Sequence, residues 1–314
     1  MAATALMGRL SLNSPHIPHI SQSLPAFIYG TAWKKDATAD LVYLALNAGI
    51  RAIDTANQPK HYQEQLVGSG IRKALQEGMV KRADIYVQTK FTSVPGQDPD
   101  NLPYDPKDPV SKQVQDSVES SLQHLRTSGD RFDDVEGSYI DTVVLHSPMP
   151  TIAETMEVWE TLERFVPGKI RNLGVSNCNL FTLINIFERA TIKPAVVQNR
   201  FYPQTKFDIG LRKFCLEKAI IYQSFWTLTA NPKLVWSAEV GVLANQLGIS
   251  TQAALYCLVF GLGNIVVLNG TKRYERMRAD LEAVELVKAF SIRSPEAWER
   301  ALQAFKKLLE DSAT

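Results

Sequence analysis

Cysteine is scarce: Cys178, Cys215 and Cys257 are the only three in 314 residues, odd in number, far apart and without accompanying histidine pairs. Neither a disulfide framework nor a zinc site is indicated, and a reducing compartment is expected. Excess charge is lacking too, since 34 Lys and Arg stand against 33 Asp and Glu. A net charge of +1 offers no footprint for nucleic acid or an anionic membrane. No apolar run approaches the roughly 18 to 20 residues that span a bilayer, and the stretch around Arg9 lacks the apolar core of a signal peptide. A cytoplasmic protein with a small-molecule ligand, no metal and no nucleic-acid or membrane partner is expected. The Gly-x-Gly-x-x-Gly fingerprint after a strand is absent, so any dinucleotide must be held in another way. Asn269-Gly270-Thr271 matches a glycosylation sequon, which in a cytoplasmic protein is a chance match.

What is present is alternation. Short apolar runs rich in branched or aromatic residues recur at 27–33, 51–56, 84–91, 140–146, 171–176, 195–201, 219–226 and 264–268. Between them apolar residues return every three or four positions, as in Met156, Trp159, Leu162 and Phe165, the spacing of an amphipathic helix. Eight such strand–helix units over residues 1–314 predict an α/β fold of one domain, a (β/α)8 TIM barrel; pattern alone also permits a doubly wound sheet. Two segments exceed ordinary connection lengths. Thr92 to Pro109 carries six prolines or glycines and follows the third strand, where it is expected to act as a lid or to shape a substrate site. Gly129 to Ser138 is acidic and precedes the fourth strand. The segment from Trp298 to Leu309 reads as a helix that packs either on the barrel or on a partner.

The strand ends carry chemistry. Asp54 closes the second run, Lys90 the third and His146 the fourth, which in a barrel brings an acid, a base and an imidazole to one mouth. Buried charges are costly unless paired, so Asp54 and Lys90 are expected to touch. Tyr62 follows in His61-Tyr-Gln-Glu64. A phenol near an ammonium has its pKa lowered, which suits it to give a proton to a carbonyl oxygen on which negative charge develops, with His146 as a second donor.

With these residues in place, the chain resembles the aldo-keto reductases from about residue 27 to about residue 285. The resemblance rests on Gly30-Thr-Ala-Trp33, Ile53-Asp-Thr-Ala56, Thr89-Lys-Phe91, Leu145-His-Ser147 and above all Gly168-Lys-Ile-Arg-Asn-Leu-Gly-Val-Ser-Asn177. Gln198 to Pro203 and Gln223 to Pro232 are most similar to a fungal branch, in which such enzymes modify secondary-metabolite carbonyls. The resemblance implies a catalytic tetrad of Asp54, Tyr62, Lys90 and His146. It implies NADPH, in preference to NADH, held by Thr31, Ala32, Asp54, Ser176, Asn177 and Gln198. Phe225 would stack on the nicotinamide, Trp226 and Leu228 would lie on a diphosphate loop, and Asn269, Gly270, Thr271 and Arg276 on the adenosine site. Trp33, Trp226 and His146 would wall a bulky substrate.

Two departures stand out. The family places its tyrosine five positions after the aspartate, where this chain has Pro59; here tyrosine comes at 62. Either Tyr62 reaches the same place from a longer loop or the donor differs, with His61 the substitute. Where many members have a lysine that meets the 2′-phosphate stands Asn269, leaving Lys272 and Arg276 to supply charge. Two other readings remain open: a Schiff-base lyase on Lys90, and a cofactor-binding scaffold or regulatory barrel that does not turn over.

Overall fold

The eight apolar runs become eight parallel strands: β3 (Phe27–Gly30), β4 (Ala52–Asp54), β5 (Tyr86–Phe91), β6 (Ile140–Leu145), β7 (Ile170–Ser176), β8 (Val196–Arg200), β9 (Ile221–Phe225) and β10 (Ile265–Asn269). They close in the order β10-β3-β4-β5-β6-β7-β8-β9. The computed structural model describes residues 10–12, 22–127 and 138–312; the stretch around Arg9 and all but Ser138 of the acidic segment lie outside them. Ahead of the barrel, β1 (Leu10–Leu12) and β2 (Gln22–Leu24) pair as an antiparallel hairpin that no run announced, each strand having only three residues. The first expected run is cut short at Gly30, because the chain turns at Trp33 with a φ of 58°.

Strand parity decides what fills the interior. Ile28, Ala52, Tyr86, Val144, Val196, Ile221 and Val266 point inward from seven strands and pack with Leu24, so the end of the hairpin closes the amino-terminal end of the barrel. Two positions further on, the same inward face becomes polar: Asp54, Gln88, Gln198 and Gln223. The Gly-Val-Ser-Asn segment owes its glycine to this crowding, since a Cβ on Gly174 would stand 2.3 Å from Val196 Cγ2 and 2.9 Å from Val196 O.

The outward faces of the strands, including Phe27, Tyr29, Ile53, Val87 and Leu145, bury against the surrounding helices. Those are α1 (Thr38–Ala48), α2 (Glu64–Gln76), α3 (Val110–His124), α4 (Ile152–Glu163), α5 (Leu180–Arg189), α6 (Ile209–Glu217), α7 (Pro232–Val235), α8 (Ala238–Leu247), α9 (Thr251–Gly261), α10 (Tyr274–Arg293) and α11 (Pro295–Asp311). Their ends follow local chemistry: Thr151 and Glu154 form a reciprocal capping box at the start of α4, and Gly49 ends α1 at a φ of 107°. Trp298, Leu302, Phe305 and Leu309 of α11 are buried against the chain's own helices, with Leu302 and Trp298 seated over Gly261 of α9. That answers the choice between barrel and partner for this segment in favour of the barrel. Among the described residues no single helix is long and apolar enough to cross a membrane.

Candidate active site

The carboxyl ends of the strands surround a cleft of about 720 Å³. Asp54 lies at its floor, and its two oxygens take every strong donor nearby. Lys90 Nζ donates to Oδ1 at 2.8 Å and to Oδ2 at 2.7 Å, and spends its third proton on Thr55 O at 2.7 Å. Gln88 Nε2 and Gln198 Nε2 also reach Asp54 Oδ1, at 2.7 and 2.9 Å. The two glutamines are joined through Gln223, whose Oε1 accepts from both and whose Nε2 returns a bond of 2.8 Å to Gln88 Oε1. The pairing of Asp54 with Lys90 sits beside three amides linked through Gln223 across the barrel. Burial lowers the pKa of Lys90, against the opposing pull of the Asp54 carboxylate.

Tyr62 reaches the cleft from a longer loop. A turn closed by Gln58 O, which accepts from the His61 and Tyr62 amides at 3.2 and 3.0 Å, takes up the additional residues. The Tyr62 ring then lies 5.0 Å from Lys90 Nζ and 6.1 Å edge-on from the His146 ring. The expected lowering of its pKa is reversed: burial raises it first and the Asp54 charge adds to the rise. The reason is positional. Lys90 has its protons on Asp54 and Thr55 and its charge is countered there, so the phenol feels burial and the carboxylate more than the ammonium. His61 also lines the cleft, its ring 5.2 Å from that of Trp33.

His146 follows β6 directly, with Nδ1 2.6 Å from Thr92 Oγ1. Burial, then the charges of Lys90 and His61, push its pKa down to about 3, so the ring is neutral at physiological pH. A Thr92 hydroxyl that donates to Nδ1 leaves the ring proton on Nε2.

Beside this group, Ser176 Oγ donates to Gln198 O at 2.6 Å, while Asn177 Nδ2 donates to His146 O at 2.9 Å and to Ser176 Oγ at 3.2 Å. The donors of Asn177 and Gln198 are thus used within the protein. Among the described residues their side-chain oxygens accept nothing, and both residues line the cleft. Phe225, at the end of the neighbouring strand β9, and Trp226 just after it also line the cleft, and Trp226 is 42% exposed at a φ of 58°.

Ala32, Trp33, Leu228, Gly270, Thr271 and Arg276 complete the wall. Thr31 and Lys90 do not line it: Thr31 Oγ1 donates to Asp54 O at 2.8 Å, and Lys90 lies beneath Asp54. Asn269 reaches the cleft only at its edge, for its side chain turns to Asp280 Oδ2 at 2.7 Å and accepts from the Thr271 amide at 3.0 Å.

Several residues in this site escaped the sequence reading. Lys34 is buried, donates to Gly270 O and lines the cleft; burial and the nearby Lys272 charge lower its pKa to about 8. Lys272 is its neighbour and does not itself line the cleft. Gln88, Arg200 and Gln223 lie two residues from Lys90, Gln198 and Phe225 on the same inward faces, so the period of two would have found all three. Lys34 follows Trp33 in a turn and leaves no periodic signal.

The proline-rich segment departs from expectation. None of residues 93–109 lines the cleft. The segment is instead fastened to the loop that carries Tyr62: Gln97 Nε2 donates to Asn57 O at 2.9 Å, and Gln58 Nε2 donates to Gly96 O at 2.6 Å. Tyr104 Oη secures its base by donating to Thr92 O at 2.6 Å.

Fold and site together define a (β/α)8 barrel with a tyrosine, a neutral imidazole and a buried ion pair at its mouth, beside a row of open acceptors. The chain belongs to the aldo/keto reductase family, whose model matches residues 27–301. It is similar to a NAD(P)H-dependent D-xylose reductase of Scheffersomyces stipitis, at 31% identity over 218 residues, 63% of this chain and 60% of that protein. It is 28% identical over 295 residues to 4-dihydromethyl-trisporate dehydrogenase of Mucor mucedo, covering 81% of this chain and 83% of the relative. The match thus spans about three-fifths of the length of the xylose reductases. A silkworm (Bombyx mori) aldo-keto reductase complexed with NADPH has the same fold, with a TM-score of 0.67 at 19% identity over 90% of this chain and 87% of that one.

Proposed function

We propose that this protein reduces an aldehyde or ketone to the alcohol with NADPH, Tyr62 giving the proton. The observation that carries the reading is the meeting of Tyr62 and His146 above the Asp54–Lys90 pair, in the same cleft as the free oxygens of Asn177 and Gln198. Those oxygens are acceptors matched to a carboxamide N–H₂, and Phe225 offers a flat face beside them. At the other end of the cleft Lys34 and Arg276, with Lys272 behind, form a cationic group suited to phosphate. When bound there, NADPH supplies the hydride.

The chain's own residues do the rest. Tyr62, its pKa raised by burial, stays protonated through the neutral range, so the proton is available when charge grows on the carbonyl oxygen. With Thr92 donating to Nδ1, the neutral His146 carries its proton on Nε2 and gives that oxygen a second hydrogen bond without a competing positive charge. Asp54 and Lys90 hold the floor of the site fixed. A Schiff base on Lys90 is disfavoured, because the residue is only 1% exposed and its nitrogen is fully hydrogen-bonded. A bulky carbonyl substrate follows from the walls of Trp33 and Trp226, and a cytoplasmic location from the three free, buried cysteines.

The test is NADPH oxidation across a panel of aldehydes and ketones, with NADH in parallel. Tyr62→Phe is expected to lower kcat at least about 100-fold, as loss of a general acid does, with NADPH affinity retained. A Tyr62→Phe enzyme as active as its parent would remove Tyr62 from the mechanism. NADPH binding with no turnover of any carbonyl would favour a non-catalytic barrel.

A further inference from the structure

The mouth of the barrel holds a cation that the protein leaves unanswered. Arg200 ends β8, two positions beyond Gln198 on the inward face, and lines the cleft. Its guanidinium lies 4.4 Å from the centroid of the Trp226 ring and 6.0 Å from that of Phe225. Among the described residues it makes no ion pair and no hydrogen bond, and its Nε is buried without a partner. Other enclosed arginines do have hydrogen-bond or ion-pair partners: Arg82 pairs with Asp141 at 2.7 Å, Arg72 donates to His124 O and Arg126 O, Arg126 donates to Gln123 O at 2.8 Å, and Arg212 donates to Phe207 O. A buried Nε–H left idle is costly unless a ligand completes it, and the remaining guanidinium donors have no protein partner among the described residues.

Position separates Arg200 from the charges suited to the cofactor's phosphates. Lys34, Lys272 and Arg276 gather where β10 meets β3, whereas Arg200 stands on β8 behind the aromatic pair Phe225–Trp226 at the end of β9. The guanidinium lies against the Trp226 ring with no acceptor from the described residues on its donors, and such a fork can receive an oxyanion through two parallel hydrogen bonds. Among the described residues no second lysine or arginine lines this side of the cleft. One positive charge answers one negative charge, which fits a carboxylate better than a doubly charged phosphate.

We infer that Arg200 anchors a carboxylate of the substrate, so that the enzyme selects carbonyl compounds that also bear an acid group. The inference rests on the reductase reading above. Its probe is 4-formylbenzoate set against the neutral 4-formylbenzamide. The parent enzyme should favour the acid in kcat/KM, and Arg200→Met should shrink that ratio about 10- to 100-fold, the range for a charge-assisted hydrogen-bonded pair. Arg200→Lys should recover only part of it, for a lysine keeps the charge and loses the fork. Equal use of both aldehydes by the parent overturns the inference. So does an equal fall for both in Arg200→Met together with weakened NADPH binding, which would assign Arg200 to the cofactor.

If no carbonyl of the panel is reduced, the reductase reading fails on its own; in that case, or if these two aldehydes alone are not reduced, Arg200 is tested by binding. With NADP⁺ present, 4-(hydroxymethyl)benzoate should change the tryptophan fluorescence of the parent through Trp226, and do so far more weakly in Arg200→Met. The same response in both proteins overturns the inference.

Discussion

Asp54→Asn isolates what the carboxylate does for the buried ammonium beneath it. Asp54 and Lys90 are both buried, and the carboxylate accepts two of the three Lys90 protons and one proton each from Gln88 and Gln198. The asparagine oxygen can keep the contacts at Oδ1, but its amide nitrogen would face the Lys90 proton now bound to Oδ2, donor against donor. Breaking a buried pair in this way costs about 3–5 kcal/mol when the remaining charge has nowhere to go. Lys90 has an escape, since burial already lowers its pKa and only Asp54 and, more weakly, Glu64 pull the other way. In the variant its folded pKa falls further, so across the interval up to the unfolded value of about 10.4 the unfolded chain binds a proton that the folded chain does not. Stability must then rise with pH. Urea unfolding of parent and variant at about pH 7 and about pH 10 should therefore show a deficit near 3 kcal/mol or more at neutral pH that narrows at alkaline pH. Adding Lys90→Met, which removes the charge, should return part of the loss. A deficit equal at both pH values and unrelieved by Lys90→Met would refute the account of an uncompensated ammonium.

Two further outcomes follow from the geometry. Gly174→Ala places a methyl 2.3 Å from Val196 Cγ2 inside the barrel wall, where neighbouring strands cannot separate independently, so thermal melting should show a loss of about 1–3 kcal/mol. Thr92→Val removes the partner of His146 Nδ1 and should lower kcat about tenfold with little change in KM. Thr92→Ser should restore it, and nitrogen NMR of the imidazole should show a mixture of tautomers in the valine variant alone; a kcat unchanged by Thr92→Val would deny Thr92 this part.

The barrel was legible because its strands are short runs of branched and aromatic residues between amphipathic helices, and each of the eight runs became one strand. The hairpin was not, for three-residue strands such as Leu10–Leu12 are too short to show a period. Residue types at the strand ends were enough to bring Asp54, Lys90 and His146 to one mouth. The sign of the Tyr62 pKa was not readable, because it depends on where the three Lys90 protons go, and that is decided by Thr55 O and both Asp54 oxygens in three dimensions. The duty of residues 93–109 was hidden for a related reason. Prolines mark a loop, whereas its side-chain bonds to Asn57 and Gln58 join segments some 40 residues apart.

That last connection has a consequence for inheritance and for redesign. The Tyr62 loop and the proline-rich loop are separate in the gene but make up one mechanical part, with Gln58 and Gln97 as its two rivets. Shortening one while leaving the other strands buried polar groups, so the two lengths should change together or not at all. Moving the longer tyrosine loop into another barrel would require its companion to travel with it.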